Sequence, residues 1–155
     1  MWDKASIAGF KVFEGLSSKG LDSILSIGRE TAFNPGEVIL EESKLGSHLY
    51  AILQGRVSVE LKRGQMNEQA EDEAKQLATL RPGDVFGEIA FLAEKRRSAH
   101  VVAIDEVLLL ELDGEKLYDL FDRDNRTGYL VMRNIAAILA QRVVNFNFRW
   151  RDKSY

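Results

Sequence analysis

The chain has 155 residues, of which 45% are hydrophobic and 29% charged, and its formal net charge is −3. This composition predicts one soluble globular domain with a sizeable core and excludes a disordered chain. Cysteine is absent, which excludes disulfides and thiolate metal sites and fits a reducing cytoplasm. The slightly acidic balance gives no general attraction to nucleic acid. Neither a membrane span nor a secretory leader is predicted, because no long apolar run is present.

Residues 1–30 are predicted to form an N-terminal helical segment, with helix from Ile7 to Glu30. Ser17 is a suitable N-cap for the turn that follows it. Beyond it, one apolar stripe at helical spacing is formed by Leu21, Ile24, Leu25 and Ile27. We expect this stripe to pack on a sheet.

Residues 31–113 show short β-branched and apolar runs between Gly and Pro, which predicts an antiparallel β-roll. Strands are expected near Thr31–Asn34, Val38–Leu40, His48–Gln54, Arg56–Arg63, Gln76–Leu80, Asp84–Phe86, Ala99–Ala103 and Val107–Asp113. Gly55 lies between two of these strands and predicts a tight hairpin. The polar, acidic stretch from Gly64 to Lys75 is predicted to be a solvated connector, with an interaction tail as the alternative.

Residues 114–150 are predicted to form two C-terminal helices. Asp113 can cap the first helix, whose buried stripe is Leu117, Leu120 and Phe121. The second helix runs from Arg126 to Trp150 and carries a heptad seam of Met132, Ala136, Leu139, Val143, Phe146 and Trp150. The seam can pack on its own sheet or pair with a second copy of the chain. We favour a homodimer, because a seam ending in two aromatic residues is hard to bury within one small domain.

The stretch from Phe86 to Val102, FGEIAFLAEKRRSAHVV, contains the main candidate site. Arg97 offers a planar fork of donors that suits two phosphate oxygens, and Ser98 and Ala99 can add further donors. Gly87 lets a ligand approach the backbone. Glu88, nine residues before Arg97, can accept a hydrogen bond from a ribose hydroxyl. These groups together fit the sugar-phosphate of a nucleotide, although a surface loop with an ion pair is the alternative on spacing alone.

The full pattern, FGEIAFL followed by RRSA, closely resembles the phosphate-binding cassette of the cyclic nucleotide-binding domain family. Three further stretches resemble family landmarks: PGEVI from Pro35, LYAILQGRV from Leu49 and LRPGDVFGE from Leu80. The resemblance covers about Leu16 to Arg142. Members of this family include bacterial transcription activators, regulatory subunits of kinases and gated channels.

The resemblance implies that Glu88 binds the ribose 2′-hydroxyl and Arg97 the cyclic phosphate, with backbone or hydroxyl contacts from Gly87, Ser98 and Ala99. It also brings Phe86, Ile89, Ala90 and His100 into the ligand-binding set. His100 stands where relatives carry Thr, Ser or Trp, so the base preference stays open, and His100 can face either ligand or solvent. Arg96 replaces a proline common in the family.

The expected function is therefore a cytoplasmic, non-enzymatic sensor that binds cAMP, or alternatively cGMP, as a ligand rather than a cofactor. Binding would rearrange the C-terminal helices and act on an unknown downstream protein. Only five residues follow Trp150, so no DNA-binding domain is expected. A ligand-free β-roll used for dimerisation or docking is the second hypothesis. A metal enzyme on a β-roll is disfavoured, because His48 and His100 are the only histidines.

Overall fold

The computed structural model describes residues 2–41, 47–61, 75–93 and 99–153, with backbone alone at 75 and 148–153. The five α-helices of these ranges are α1 (Lys4–Ala8), α2 (Ser18–Ile27), α3 (Glu88–Ala93), α4 (Gly114–Arg123) and α5 (Asn125–Lys153), and a short 3-10 helix covers Lys11–Phe13. The eight strands are β1 (Arg29–Phe33), β2 (Val38–Leu40), β3 (Leu49–Gln54), β4 (Val57–Leu61), β5 (Lys75–Leu80), β6 (Val85–Phe86), β7 (His100–Ala103) and β8 (Val107–Leu112).

The strands form two four-stranded antiparallel sheets, in the orders β1-β8-β3-β6 and β2-β7-β4-β5. The predicted β-roll with flanking helices is thereby confirmed. Each of the eight predicted strands is present to within two residues at every end that the structure describes. Most of the predicted connector, residues 64–74, lies outside the described residues, and Lys75 already belongs to β5.

Alternation along the central strands divides the core into two layers, because successive side chains of a strand point to opposite faces. Leu49, Ala51 and Leu53 of β3 pack towards the helices, in a cluster that includes Leu117 and Ile135. Their neighbours Tyr50 and Ile52 point into the roll, where residues of the other sheet such as Val57 and Val101 meet them. The first sheet therefore separates the helical layer from the interior of the roll.

Two details of the prediction were wrong. The N-terminal segment is not one helix from Ile7 to Glu30, because α1 ends before Gly9, a 3-10 helix follows, and β1 already begins at Arg29. Gly55 does not close a hairpin, because β3 and β4 belong to different sheets. The chain passes between the sheets at Gly55 with φ of 80°, and an added Cβ would lie 2.2 Å from the Glu106 carbonyl oxygen.

The first C-terminal helix begins where its predicted cap places it, and the second begins at Asn125, one residue before the predicted Arg126. The Asp113 carboxylate accepts hydrogen bonds from the Glu115 and Lys116 amides at 2.9 and 3.2 Å. Leu117, Leu120 and Phe121 are buried as expected. No helix of the described ranges is long and apolar enough to cross a membrane.

The first half of α5 is fixed to the N-terminal segment by a buried amide. Asn134, 4% exposed, donates from Nδ2 to the carbonyl oxygens of Val12 and Glu14 at 3.0 and 2.9 Å. Val131 and Ile135, on the same stretch of α5, belong to the helical core. This part of α5 is therefore held by both packing and hydrogen bonds.

Candidate functional site

A cavity of about 380 Å³ opens between the second sheet and residues 85–90, which comprise β6, Gly87 and the start of α3 and are called the β6–α3 segment. This volume falls within the roughly 300–1,000 Å³ typical of small-molecule sites. Its apolar walls come from β2, β4, β5, β7 and the β6–α3 segment, and are made by Leu40, Val59, Leu61, Leu77, Ala78, Leu80, Phe86, Ile89, Ala90, Ala99 and Val101. Gly87 and two charged side chains, those of Glu88 and Arg142, complete the lining of the cavity.

The β6–α3 segment is shaped by a glycine and anchored by aromatic packing. Gly87 has φ of 85°, a left-handed conformation that costs other residues about 1–2 kcal/mol. The Phe86 ring stacks on Tyr50 with 5.0 Å between centroids, which fixes the end of β6 to β3. The chain can then turn into α3 immediately after the strand, with the Phe91 amide donating to the Gly87 carbonyl at 3.2 Å.

Glu88 is the first residue of α3 and is 7% exposed. Its Oε1 accepts a hydrogen bond from Arg142 Nη1 at 2.9 Å. Arg142 Nη2 also donates to the Val85 carbonyl at 2.5 Å. One guanidinium from α5 is therefore bonded both to β6, at Val85, and to α3, at Glu88.

The structure brings together six of the nine residues predicted to bind ligand: Phe86, Gly87, Glu88, Ile89, Ala90 and Ala99 all line the cavity. Arg97 and Ser98 lie outside the described residues. His100 is 9% exposed, which excludes the expectation that it faces solvent. It pairs with Glu60 across the β4–β7 ladder, and it is not among the cavity-lining residues, whereas its neighbours Ala99 and Val101 are. A ligand contact from His100 therefore has no support from this geometry.

The sequence analysis missed Arg142, the second charged residue of the cavity, and the apolar wall that the second sheet contributes. A weak signal was present, because Ile135, Ile138 and Leu139 precede Arg142 at spacings of seven, four and three, which places all four on one helix face. Ile135 is buried, and Ile138 and Leu139 pack against the helical core. The predicted heptad seam included the neighbouring Val143 and not Arg142.

The cassette helix α3 also contacts α4. The Tyr118 hydroxyl donates to the Phe91 carbonyl at 2.6 Å, and the two rings stack with centroids 4.8 Å apart. The cavity wall is thus connected to both C-terminal helices, through Tyr118 to α4 and through Arg142 to α5. Within the described ranges, no group of three or more His, Cys, Asp or Glu side chains is placed to hold a metal ion.

Comparison with known proteins agrees with this architecture. Residues 30–124 match the family model described as cyclic nucleotide-binding domain. The cyclic AMP receptor protein of Thermus thermophilus is 35% identical over 135 residues, which cover 87% of this chain and 58% of the relative. The cyclic nucleotide-gated channel beta-3 of Canis lupus familiaris is 29% identical over 88% of this chain and 17% of the channel.

A solved structure shows the same fold. The Thermus thermophilus catabolite activator protein superimposes with a TM-score of 0.75 at 31% identity, covering 93% of this chain and 63% of that one. The chain therefore belongs to the cyclic nucleotide-binding domain family. It spans less than two thirds of each of these three relatives.

Proposed function

We propose that this chain is a non-catalytic sensor domain, extending over residues 1–155, that binds a cyclic purine nucleotide in the cavity beside α3. The observation that carries the proposal is the placement of Gly87 and the buried Glu88 together in the wall of an otherwise apolar cavity. An apolar pocket with a few polar groups suits a ligand with a flat base and a polar sugar. Membership in the family supports this assignment.

Cyclic AMP is the proposed ligand, with cyclic GMP as the alternative. The similar Thermus protein is named as a cyclic AMP receptor, which favours adenine. Glu88 is assigned to the ribose 2′-hydroxyl and Arg97 to the cyclic phosphate, with Ser98 and Ala99 beside it. The assignments of Arg97 and Ser98 depend on the sequence resemblance alone.

Ligand binding is proposed to shift the population of arrangements of α4 and α5, because a ligand favours whichever arrangement it binds more tightly. The contacts of α3 with Tyr118 and of Glu88 with Arg142 supply physical routes for this coupling. The cysteine-free sequence fits action in the cytoplasm. A homodimer through α5 is the proposed assembly, because Val143 and Phe146 are 59% and 57% exposed.

Isothermal titration of ligand-stripped protein with cyclic AMP and then cyclic GMP tests the assignment. Saturable binding of micromolar affinity or better, at one nucleotide per chain, is the expected result and ranks the two bases. No binding of either nucleotide by a folded sample would contradict the proposal. The exposed apolar residues of α5 would then favour the second function, a ligand-free roll used for dimerisation or docking.

Arg97→Ala should weaken nucleotide binding by at least about tenfold, because charge-assisted contacts to an anion in a partly buried site are worth more than 1.4 kcal/mol. Arg126→Ala is a suitable control, since Arg126 is an exposed arginine on α5 and does not line the cavity. Equal losses from both variants, or a loss below tenfold for Arg97→Ala, would show that Arg97 is not the phosphate anchor.

A further inference from the structure

The guanidinium of Arg142 is bonded to one oxygen of the carboxylate that the nucleotide is proposed to use. Arg142 Nη1 lies 2.9 Å from Glu88 Oε1, and its Nη2 donates to the Val85 carbonyl at 2.5 Å. Both partners belong to the β6–α3 segment, whereas Arg142 comes from α5, 54 residues after Glu88. The contact therefore joins the ligand site to a separate element of the fold.

This ion pair is largely withdrawn from water. The Glu88 side chain is 10% exposed and the Arg142 side chain 31%. Partly buried pairs are screened less by salt and solvent than pairs on the surface. An ionised carboxylate accepts hydrogen bonds but cannot donate them, so in this wall it requires a donor. Arg142 provides that donor in the structure.

A ribose hydroxyl would need the same acceptor. It is a neutral donor, and an arginine N–H bonded to a carboxylate forms a stronger, charge-assisted hydrogen bond. The side chain of Arg142 also lines the cavity itself. A nucleotide that places its 2′-hydroxyl on Glu88 therefore meets Arg142 at the same carboxylate and in the same part of the cavity.

Among the described side chains of α5, Arg142 is the last one with a hydrogen bond to the body of the domain. It is partly buried, whereas Val143, Val144, Asn145, Phe146 and Asn147 are all exposed. Withdrawal of the Arg142 guanidinium from both Glu88 and Val85 would therefore free the part of α5 that carries these apolar residues. The earlier half remains held through Asn134 and the helical core.

We propose that Arg142 is an internal competitor for the ribose subsite, so that nucleotide binding requires its displacement from Glu88 and releases the end of α5. This inference rests on the proposed nucleotide-binding function and assigns Arg142 two roles. Arg142 lowers the apparent affinity for a cyclic nucleotide that carries a 2′-hydroxyl. It also makes the release of the end of α5 depend on that hydroxyl. A 2′-deoxy nucleotide can leave the Glu88–Arg142 pair in place.

The test is titration of ligand-stripped wild type, Arg142→Gln and Glu88→Gln, and of the double variant, with cyclic AMP and with 2′-deoxy cyclic AMP. If Arg142 is bonded to Glu88 in about nine-tenths of the nucleotide-free molecules, abolishing that bond raises the apparent affinity for cyclic AMP about tenfold. Arg142→Gln should therefore bind cyclic AMP about three- to tenfold more tightly and 2′-deoxy cyclic AMP with unchanged affinity. In the Glu88→Gln background the same change should have no effect, because the acceptor charge is already gone.

Arg142→Lys provides a second variant if Arg142→Gln does not fold. Lysine keeps the charge, but its single ammonium cannot reproduce a planar fork bonded to two acceptors. It should therefore give an intermediate gain in affinity. Arg126→Gln, an exposed charge removal on the same helix, is the control and should leave affinity unchanged.

Amide hydrogen exchange in α5 after residue 142 provides the readout of release. In the wild type it should accelerate with cyclic AMP and stay slow with the 2′-deoxy ligand, and in Arg142→Gln it should be fast without ligand. Weakened or unchanged cyclic AMP binding by both Arg142 variants would overturn the inference while leaving the nucleotide-binding function intact. A folded wild type that binds neither nucleotide would instead overturn the function itself.

Discussion

Glu88 occupies an unusual position for an acidic side chain, in a wall made mainly of apolar residues. It is the first residue of α3 and is 7% exposed. Its proposed ligand contact is a hydroxyl. The negative charge of the Glu88 carboxylate strengthens that hydrogen bond, but a neutral oxygen can also accept it. Removing the charge while keeping the shape therefore separates the two contributions.

Glu88→Gln should weaken cyclic AMP binding about three- to tenfold, because hydrogen bonds to a charged group are worth about 1.5–3 kcal/mol and loss of the competing Arg142 contact offsets part of that. Discrimination against 2′-deoxy cyclic AMP should fall but remain at about two- to tenfold, because the glutamine oxygen still accepts a neutral hydrogen bond worth about 0.5–1.5 kcal/mol. Competition titrations with both nucleotides measure these ratios.

Glu115→Gln is the matched control, since Glu115 is an exposed acid in the first turn of α4. A Glu88→Gln protein that kept the wild-type preference for ribose would remove Glu88 from the sugar contact.

Sequence reasoning reached Gly87 and Glu88 of the cavity wall because FGEIAFL followed by RRSA resembles the phosphate-binding cassette of a known family, whereas spacing alone left a surface loop as the alternative. It could not reach Arg142, whose partner lies 54 residues away in the chain. Helical periodicity identifies which face of a helix is buried but not which distant carboxylate that face will meet. The direction of the His100 side chain depends on its place in the alternation along β7. The sequence does not fix where that strand begins, so it left the direction open.

At the scale of elements, the junction of α4 and α5 depends on one aspartate. The Asp124 amide donates to the Leu120 carbonyl at 2.8 Å and ends α4, and its carboxylate accepts from the Thr127 amide and hydroxyl at 3.1 and 2.7 Å. These hydrogen bonds from Thr127 hold the pKa of the Asp124 carboxyl below its usual value. A single residue thus ends one helix and caps the next.

Asp124→Ala should lower the free energy of unfolding by about 1 kcal/mol at pH 7, the usual cost of losing an N-cap. Since the folded pKa is lowered, this contribution is present above the unfolded value of about 3.9 and is lost as pH falls through the folded pKa. Denaturant titrations of both proteins at pH 7 and at pH below 4 measure the difference, which should shrink in acid.

Asp122→Ala is the control, because Asp122 is exposed near the end of α4. A difference between wild type and Asp124→Ala that did not change with pH would exclude an ionised cap.

The positions of most elements followed from the sequence because β-branched runs and turn residues have local causes. Ser17 caps α2 as predicted, with Oγ accepting from the Gly20 amide at 3.0 Å. The N-terminal segment was misjudged because apolar spacing continued across two glycines. Gly15, with φ of 84°, follows the 3-10 helix and interrupts the helical path. Gly55 was misjudged because a glycine marks a turn without specifying whether the chain returns to the same sheet.

At the scale of the whole molecule, the predicted seam on α5 divides into two parts. Met132 and Leu139 pack against the helical core, whereas Val143 and Phe146 lie on the exposed half. The first half therefore packs within its own domain, which is one of the two alternatives drawn from the sequence. Pairing with a second copy is a proposal for the exposed half, where large apolar side chains have water around them in the single chain.

The double variant Val143→Glu/Phe146→Glu should prevent dimerisation, because two charges in a small apolar interface cannot be buried without partners. Sedimentation equilibrium should give twice the chain mass of 17.5 kDa for the wild type and the single chain mass for the variant. Gln141→Glu, an exposed change at a helix position turned away from Val143, should remain dimeric. A monomeric wild type, or a variant that still forms dimers, would contradict this assembly.

The buried amide of Asn134 sets the geometry of any movement of α5. It makes that position a pivot, while the bond from Arg142 lies eight residues along the arm, or about 12 Å from the pivot at 1.5 Å per residue. The arm continues to Lys153, about 28 Å from Asn134, so a swing of only 20° would carry its end about 10 Å. The same swing moves Arg142 by about 4 Å, enough to break its 2.9 Å bond to Glu88, so the far end of the helix is displaced about twice as far as the ligand site.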